Sequence, residues 1–330
     1  MNDSGLPIIG IIANPASGKD IRRLVAHGST FDNNEKINII RRILIALGHL
    51  GGPIIWYMPD TYGIVPRALE HARTAVEAHE IPMALLGNST DSTEAAMHLR
   101  DMSATCIVTL GGDGTNRVVA KGCGNVPLVA ISTGTNNVFP RMIEGTIAGI
   151  AAAAVARGVA HSAIGRSPRL EILIDDELAD IALVDLVVSH QPWIGSRAVW
   201  QAEYIKEVVL SHIPEIAIGI SAIGPILIEP ANRKERGLHA VLGPGGKTVL
   251  CPIAPGLLTE LQVTGSSALD FGSRIQLNAS KGTLALDGER EIELHGDERV
   301  EVQLTNAGPR VVNIEMAVAA AIEAGMFAIT

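Results

Sequence analysis

The sequence predicts two domains of different class: an α/β unit with a parallel sheet over residues 1–157, and an all-β, sandwich-like unit over residues 158–330 that ends in a helical segment. Three observations carry this. The chain has 330 residues, more than a single hydrophobic core ordinarily serves. Its first half alternates short β-rich apolar runs with stretches of helical periodicity, and its second half is a series of short Val, Ile and Leu runs separated by turn residues.

In the first half the expected strands are residues 8–13, 54–57, 83–86, 106–110 and 128–131. After the first of them, Ile37, Ile40, Leu44 and Leu47 recur at helical spacing, with Lys36, Arg41 and Arg42 at the polar positions. Strands separated by helices pair in parallel through crossovers, which makes this domain Rossmann-like. The Ala-rich run 147–159 is interrupted by Gly149 and Arg157 and is too weakly hydrophobic for a membrane span.

In the second half the expected strands are residues 169–174, 182–189, 239–242, 248–250, 283–286, 291–294 and 300–304. Asp175-Asp176, Gly243-Pro244-Gly245-Gly246, Lys281-Gly282 and Asp287-Gly288 supply the turn signals between and beside them. Residues 314–324 return to helical texture, and this segment can carry the chain back onto the first domain.

Composition narrows the function classes. Hydrophobic residues make up 47% and charged residues 18%, which suits a folded pair of domains. A formal net charge of −9 argues against nucleic-acid partners and against stable association with an anionic membrane. Cys106, Cys123 and Cys251 have no CxxC or zinc-ligand spacing, so they read as free thiols. The amino terminus lacks the pattern of a signal peptide. These features together predict a cytoplasmic protein, and we expect it to self-associate as a homo-oligomer.

The chemistry concentrates at Gly111-Gly112-Asp113-Gly114-Thr115, between a buried strand and the start of a helix. Glycines there remove the Cβ atoms that would hold a phosphate away, and exposed amides at a helix start attract anions. A carboxylate in such a loop repels phosphate, so Asp113 needs another purpose. It can organise Mg²⁺, or it can accept a proton from an attacking hydroxyl. An ordinary βα turn, with Asp113 and Thr115 capping the helix, is the competing explanation. Lys19 and Arg22 stand close enough to the first loop to reach a phosphate, although a solvated helix face also explains them.

The GGDGT string resembles, letter for letter, the nucleotide-site hallmark of the superfamily of NAD kinases, diacylglycerol kinases and sphingosine kinases. Two other segments resemble it as well. Asn14-Pro15-Ala16-Ser17-Gly18-Lys19 follows the first strand, and Thr133-Gly134-Thr135-Asn136-Asn137-Val138-Phe139 follows the fifth, with Asn137 where lipid kinases have Asp. The first of these is most similar to the AcoX-like group of ATP-NAD kinase-like proteins, associated with acetoin catabolism. The resemblance implies ATP as phosphate donor with Mg²⁺, and nucleotide contacts from Asn14, Ser17, Gly111, Gly112, Gly114, Thr115, Asn116, Thr133, Gly134, Thr135 and Asn136. Leu286-Asp287-Gly288-Glu289 resembles the DGE turn of bacterial lipid kinases, which implies a catalytic role for Glu289 and a substrate role for Asp287. Without the resemblance, Asp-Gly between two apolar strands is a hairpin turn.

Asp185 lies within the apolar run 183–188, where burial demands a partner. It is a substrate-site candidate or a satisfied structural carboxylate. The Asn-Glu pair and the TPTGSTAY segment of NAD kinases are both missing from the chain, which puts NAD in doubt as the acceptor. Residues 243–248 contain Gly-Lys-Thr but fail the Walker A spacing and read as a hairpin turn. The expected function is phosphorylation of a hydroxyl on a small-molecule acceptor, NAD(H) or an acetoin-related metabolite, with Asp113 or Glu289 as base. Inorganic polyphosphate is an alternative donor. A nucleotide-sensing regulatory protein without turnover and a lipid kinase are the alternative functions.

Overall fold

The computed structural model describes residues 5–18, 31–74, 76–134, 136–190 and 202–328. The first-domain strands are β1 (Ile8–Ala13), β2 (Ile54–Tyr57), β3 (Ala78–Glu80), β4 (Cys106–Gly111), β5 (Leu128–Ser132) and β6 (Ile164–Arg166). Among the described residues its helices are α1 (Asn33–His49), α2 (Ile64–His71), α3 (Thr90–Asp101), α4 (Asp113–Gly122) and α5 (Gly145–Ala156).

The strands of this sheet run in the order β3-β2-β1-β4-β5, all parallel, and continue into β17 (Arg310–Val312) and then β6. Side chains alternate across β1: Ile9, Ile11 and Ala13 face one core while Ile8 and Ile12 face another. The first core is closed by α1, α2 and α5, and the second by α3 and α4. The Ala-rich run forms α5, a buried helix rather than a surface one. A Cβ on Gly149 would stand 2.8 Å from that of Ala46, so glycine allows α5 to lie close against α1.

The second domain is a pair of antiparallel sheets. One runs β12 (Leu257–Leu269), β11 (Gly237–Ala254), β10 (Ile205–Leu210), β9 (Asp185–Ser189), β14 (Gly282–Leu286), β15 (Glu289–Leu294). The other runs β13 (Arg274–Gln276), β16 (Val300–Thr305), β7 (Arg169–Ile174), β8 (Glu177–Ala182). Leu186 and Val188 point into the core between the sheets with Leu284, Leu286, Val302 and Leu304, whereas Val187 points to the outer core with Val208 and Ala285. There the six-stranded sheet is covered by the short helix α6 (Ile223–Leu227) and the turn before it.

The expected return of the tail is present. After β16 the chain inserts β17 between β5 and β6, and α7 (Ile314–Glu323) adds Ile314, Ala317 and Ala321 to the first-domain core.

Three expectations are corrected. Residues 83–86 form no strand: Leu86 is 65% exposed, the Asp91 carboxylate accepts from the Leu86 and Gly87 amides, and the third strand lies earlier, at β3. Residues 243–246 are not a hairpin turn. Leu242 and Lys247 both lie opposite Val263, so the four residues between them bulge out of one long strand. Lys36 is not on a polar face; it is fully buried.

Candidate active site

The carboxyl ends of β1, β4 and β5 lie side by side, with Ala13 opposite Leu110 and Gly111 opposite Ser132. Ligands collect at such an edge in parallel sheets. Asn14 and Ser17 follow β1, Gly112 and Asp113 follow β4, and Thr133 and Gly134 follow β5, so three of the loops singled out from sequence meet there. Lys19, Arg22 and Thr135 lie outside the described residues.

Side chains hold the loops together. The Asn14 amide Nδ2 donates to Thr115 Oγ1 at 3.0 Å, and the Ser17 and Thr133 hydroxyls lie 3.0 Å apart. Behind the first loop, Lys36 Nζ donates to the carbonyls of Asn14 (2.8 Å), Pro15 (3.3 Å) and Ser17 (2.6 Å), and to Asn33 Oδ1 (3.1 Å). Asn116 is fully buried: its Nδ2 donates to the Gly112 carbonyl and its Oδ1 accepts from Thr109 Oγ1. It braces the glycine loop from inside. Asn137 donates to Ser132 Oγ at 2.7 Å, and its Oδ1 would stand 2.9 Å from a Cβ on Gly112.

Asp113 does not cap its helix. The N-cap is Gly112, and the Asp113 carboxylate accepts from the amides of Val138 and Phe139, the latter at 2.8 Å, tying the glycine loop to the loop after β5. Burial, helped by the nearby charge of Asp287 and less strongly by that of Asp185, pushes its pKa up to about 8 against the opposing effect of the two amides.

The second domain brings Asp287 and Glu289. Asp287 and Gly288 have φ of 52° and 80° and join β14 to β15 as a two-residue hairpin turn, so the hairpin reading and the site reading describe the same residues. The Asp287 carboxylate accepts from the amides of Leu183, Val184 and Asp185, which is why the expected strand 182–189 breaks into β8 and β9. Burial pushes the Asp287 pKa up to about 7; Arg117 opposes this and Asp185 adds to it. Glu289 lies against the helix start, with Cδ 3.4 Å from where a Cβ on Gly114 would stand.

Two residues beside the candidate site escaped the sequence reading. Arg117, 2% exposed on α4, pairs with Glu291 at 2.7 Å and Asp180 at 3.0 Å, and its Nε stands 3.7 Å from Asp287. It bolts the glycine loop's helix to the second domain. Ser221 donates to Asp185 Oδ2 at 2.7 Å. Arg117 stands four residues after Asp113, a same-face spacing that is readable in sequence, but its acidic partners come from distant strands. Ser221 has no comparable signal.

Asp113, Asn136, Asp185, Ser221, Asp287 and Gly288 border one cleft between the domains. Among the described residues, no group of three His, Cys, Asp or Glu side chains has metal-holding geometry. No helix among them is long and apolar enough to cross a membrane.

A parallel sheet with this loop edge, joined to an antiparallel sandwich that adds carboxylates to the same cleft, is the architecture of the ATP-NAD kinase class, and the family model of the ATP-NAD kinase N-terminal domain matches residues 9–159. The model of the Acetoin catabolism protein X C-terminal domain matches residues 168–307. Acetoin catabolism protein X of Cupriavidus necator is 38% identical over 325 residues, covering 93% of this chain and 90% of the relative. The chain belongs to the Acetoin catabolism protein X family.

Proposed function

We propose that this protein transfers the γ-phosphoryl group of ATP to a hydroxyl of a small molecule bound between its two domains. The observation that carries this reading is the meeting of Asp113, from the glycine loop, with Asp185 and Asp287, from the second domain, on one cleft beside the β1, β4 and β5 loops.

Asn14, Ser17, Lys19, Arg22, the glycine loop through Thr115, and residues 133–136 form the nucleotide side of this proposal. Asn116 serves it indirectly, since its side chain braces Gly112. Hard carboxylate oxygens suit Mg²⁺, and Asp113 is the residue on the phosphate side suited to meet it. The ion would neutralise charge on the transferring group. Of the two candidate bases, Asp113 borders the cleft while Glu289 packs beside Gly114, so we assign the acceptor proton to Asp113.

On the acceptor side the chain matches the Acetoin catabolism protein X C-terminal domain, which favours an acetoin-related metabolite over NAD(H). The direct test is transfer of label from γ-labelled ATP, or from labelled polyphosphate, to a panel of metabolites that includes NAD(H) and diacylglycerol. A nucleotide-sensing role is the second reading, motivated by Asn137 where lipid kinases carry an acid and by its use in holding Ser132. ATP binding with no labelled product across the panel would replace the first reading with the second.

A further inference from the structure

The space left between the domains is small. The cleft holds about 20 Å³, room for about one water molecule, whereas pockets that take small molecules span roughly 300–1,000 Å³. An acceptor cannot enter until part of the wall moves. Asp113 and Asp287 are fixed by bonds to backbone amides, and Asp185 and Val187 belong to β9 in the middle of its sheet. Another side of the wall is built differently: Ile218, Gly219, Ile220 and Ser221 all come from one segment, the connection from β10 to α6.

That segment is loosely tied. Ile213 and Ala222 anchor its ends in the outer core, but the backbone of residues 214–218 makes no hydrogen bond among the described residues. Ile216 is 89% exposed. Two bonds hold the part that faces the cleft: Ser221 Oγ donates to Asp185 Oδ2 at 2.7 Å, and the Gly219 amide donates to the Pro252 carbonyl at 2.9 Å. Gly219 has φ 105° and ψ −170°, a conformation that is essentially glycine's alone. No atom stands within 4 Å of a Cβ placed there, so a side chain would be opposed by the backbone conformation and not by a clash. Beneath Gly219 lies Cys251, fully buried, with Sγ 4.0 Å from the Gly219 carbonyl oxygen.

We propose that residues 214–221 form a strap, shut in this structure, that swings outward between its anchored ends to open the cleft. Opening breaks the Ser221–Asp185 and Gly219–Pro252 bonds and uncovers Cys251. The open form is a minor population that a ligand in the cleft enlarges. The motion follows from the contacts alone; that it admits the phosphoryl acceptor rests on the kinase reading above.

Thiol labelling reads the motion directly. Burial pushes the Cys251 thiol up to about 11 and that of Cys106 up to about 12, so neither reacts until it is exposed. Cys106 lies on the central strand β4 and reports opening of the first-domain core. The full chain is treated with iodoacetamide under native conditions, and each cysteine is followed by peptide mass spectrometry. Cys251 is expected to label about 10-fold or more faster than Cys106. Gly219→Ala strains the closed strap and should speed Cys251 labelling about 10-fold, a typical penalty for another residue in that conformation. Ser221→Ala should speed it less. In both variants Cys106 labelling and the melting temperature should stay near those of the parent. Cys251 labelling no faster than that of Cys106 would overturn the strap. So would labelling that neither variant changes, since exposure would then come from the β11–β12 hairpin. Phosphoryl transfer from ATP is scored separately: fast, variant-sensitive labelling with no phosphorylated product would keep the strap and end its role for an acceptor.

Discussion

Asp113 opens α4 directly after Gly112, and its oxygens bind the Val138 and Phe139 amides across the cleft edge. Its folded pKa, about 8, lies far above the ordinary 3.8, so between those values the native protein keeps a proton that the unfolded chain has lost. The stability contribution of this group therefore falls as pH rises through that window and levels off above it. Asp113→Asn removes the titration but keeps an amide acceptor. The melting temperature of the variant relative to the parent should climb between pH 5 and pH 8.5, and differential scanning calorimetry at several pH values would read this directly. A flat difference would mean that Asp113 is not buried in this way. With an acceptor identified, the same variant should lose turnover by roughly 10²-fold or more while still binding nucleotide, because the proton acceptor is gone. Full turnover would reject Asp113 as base. That a carboxylate sits inside the glycine loop was legible in the sequence; its amide partners were not, because they lie on a loop 25 residues away in the chain.

At the scale of elements, α1 shows what periodicity can and cannot say. Its apolar stripe is legible, with Ile37, Ile40, Leu44 and Leu47 all buried. Asp32 caps it by accepting from the Glu35 amide. Lys36 borders that stripe and reads as a solvent-facing cation, yet the loop after β1 closes over it and turns its ammonium into a donor for three loop carbonyls. Lys36→Met removes those donors, and each carbonyl left unsatisfied costs about 1–3 kcal/mol. We expect a lower melting temperature and ATP affinity weakened about 10-fold or more, since the loop that carries Asn14 and Ser17 loses its backing. Lys36→Arg should not restore affinity, because a planar guanidinium cannot replace a compact ammonium among converging carbonyls. ATP titration by calorimetry on both variants decides the point; parent-like affinity in folded Lys36→Met would show that the first loop holds its shape without the lysine.

Over the whole molecule, the returning chain and an ionic cluster are among the connections that unite the halves. The chain returns through β17 and α7, so the first-domain sheet and core include residues from the carboxyl end. The other connection is the ionic cluster in which buried Arg117 of α4 meets buried Asp287, half-buried Asp180 and the exposed Glu291 of the second domain, with Lys121 reaching Asp180 at 2.6 Å. Removing one member of a buried ionic group leaves the others uncompensated, at a typical cost of 3–5 kcal/mol. Arg117→Met should lose about that much stability in urea unfolding. It should also lose affinity for the acceptor more than for ATP, because Asp287 borders the cleft from the second domain. A loss below about 1 kcal/mol would mean that the acids protonate or rehydrate freely.

The sequence by itself determined the alternation of strands and helices, the β-rich second half, the helical tail, and the glycine turn between a buried strand and a helix. These are local: side-chain periodicity and glycine's lack of a Cβ act within a few residues. Only the tertiary structure decided that Asp185 and Asp287 share a cleft with Asp113, that Lys36 and Arg117 are buried, that residues 243–246 bulge from one strand, and that β17 enters the first sheet. Each of these depends on groups far apart in the chain, where burial and charge are set by what other segments bring, and no local pattern records that.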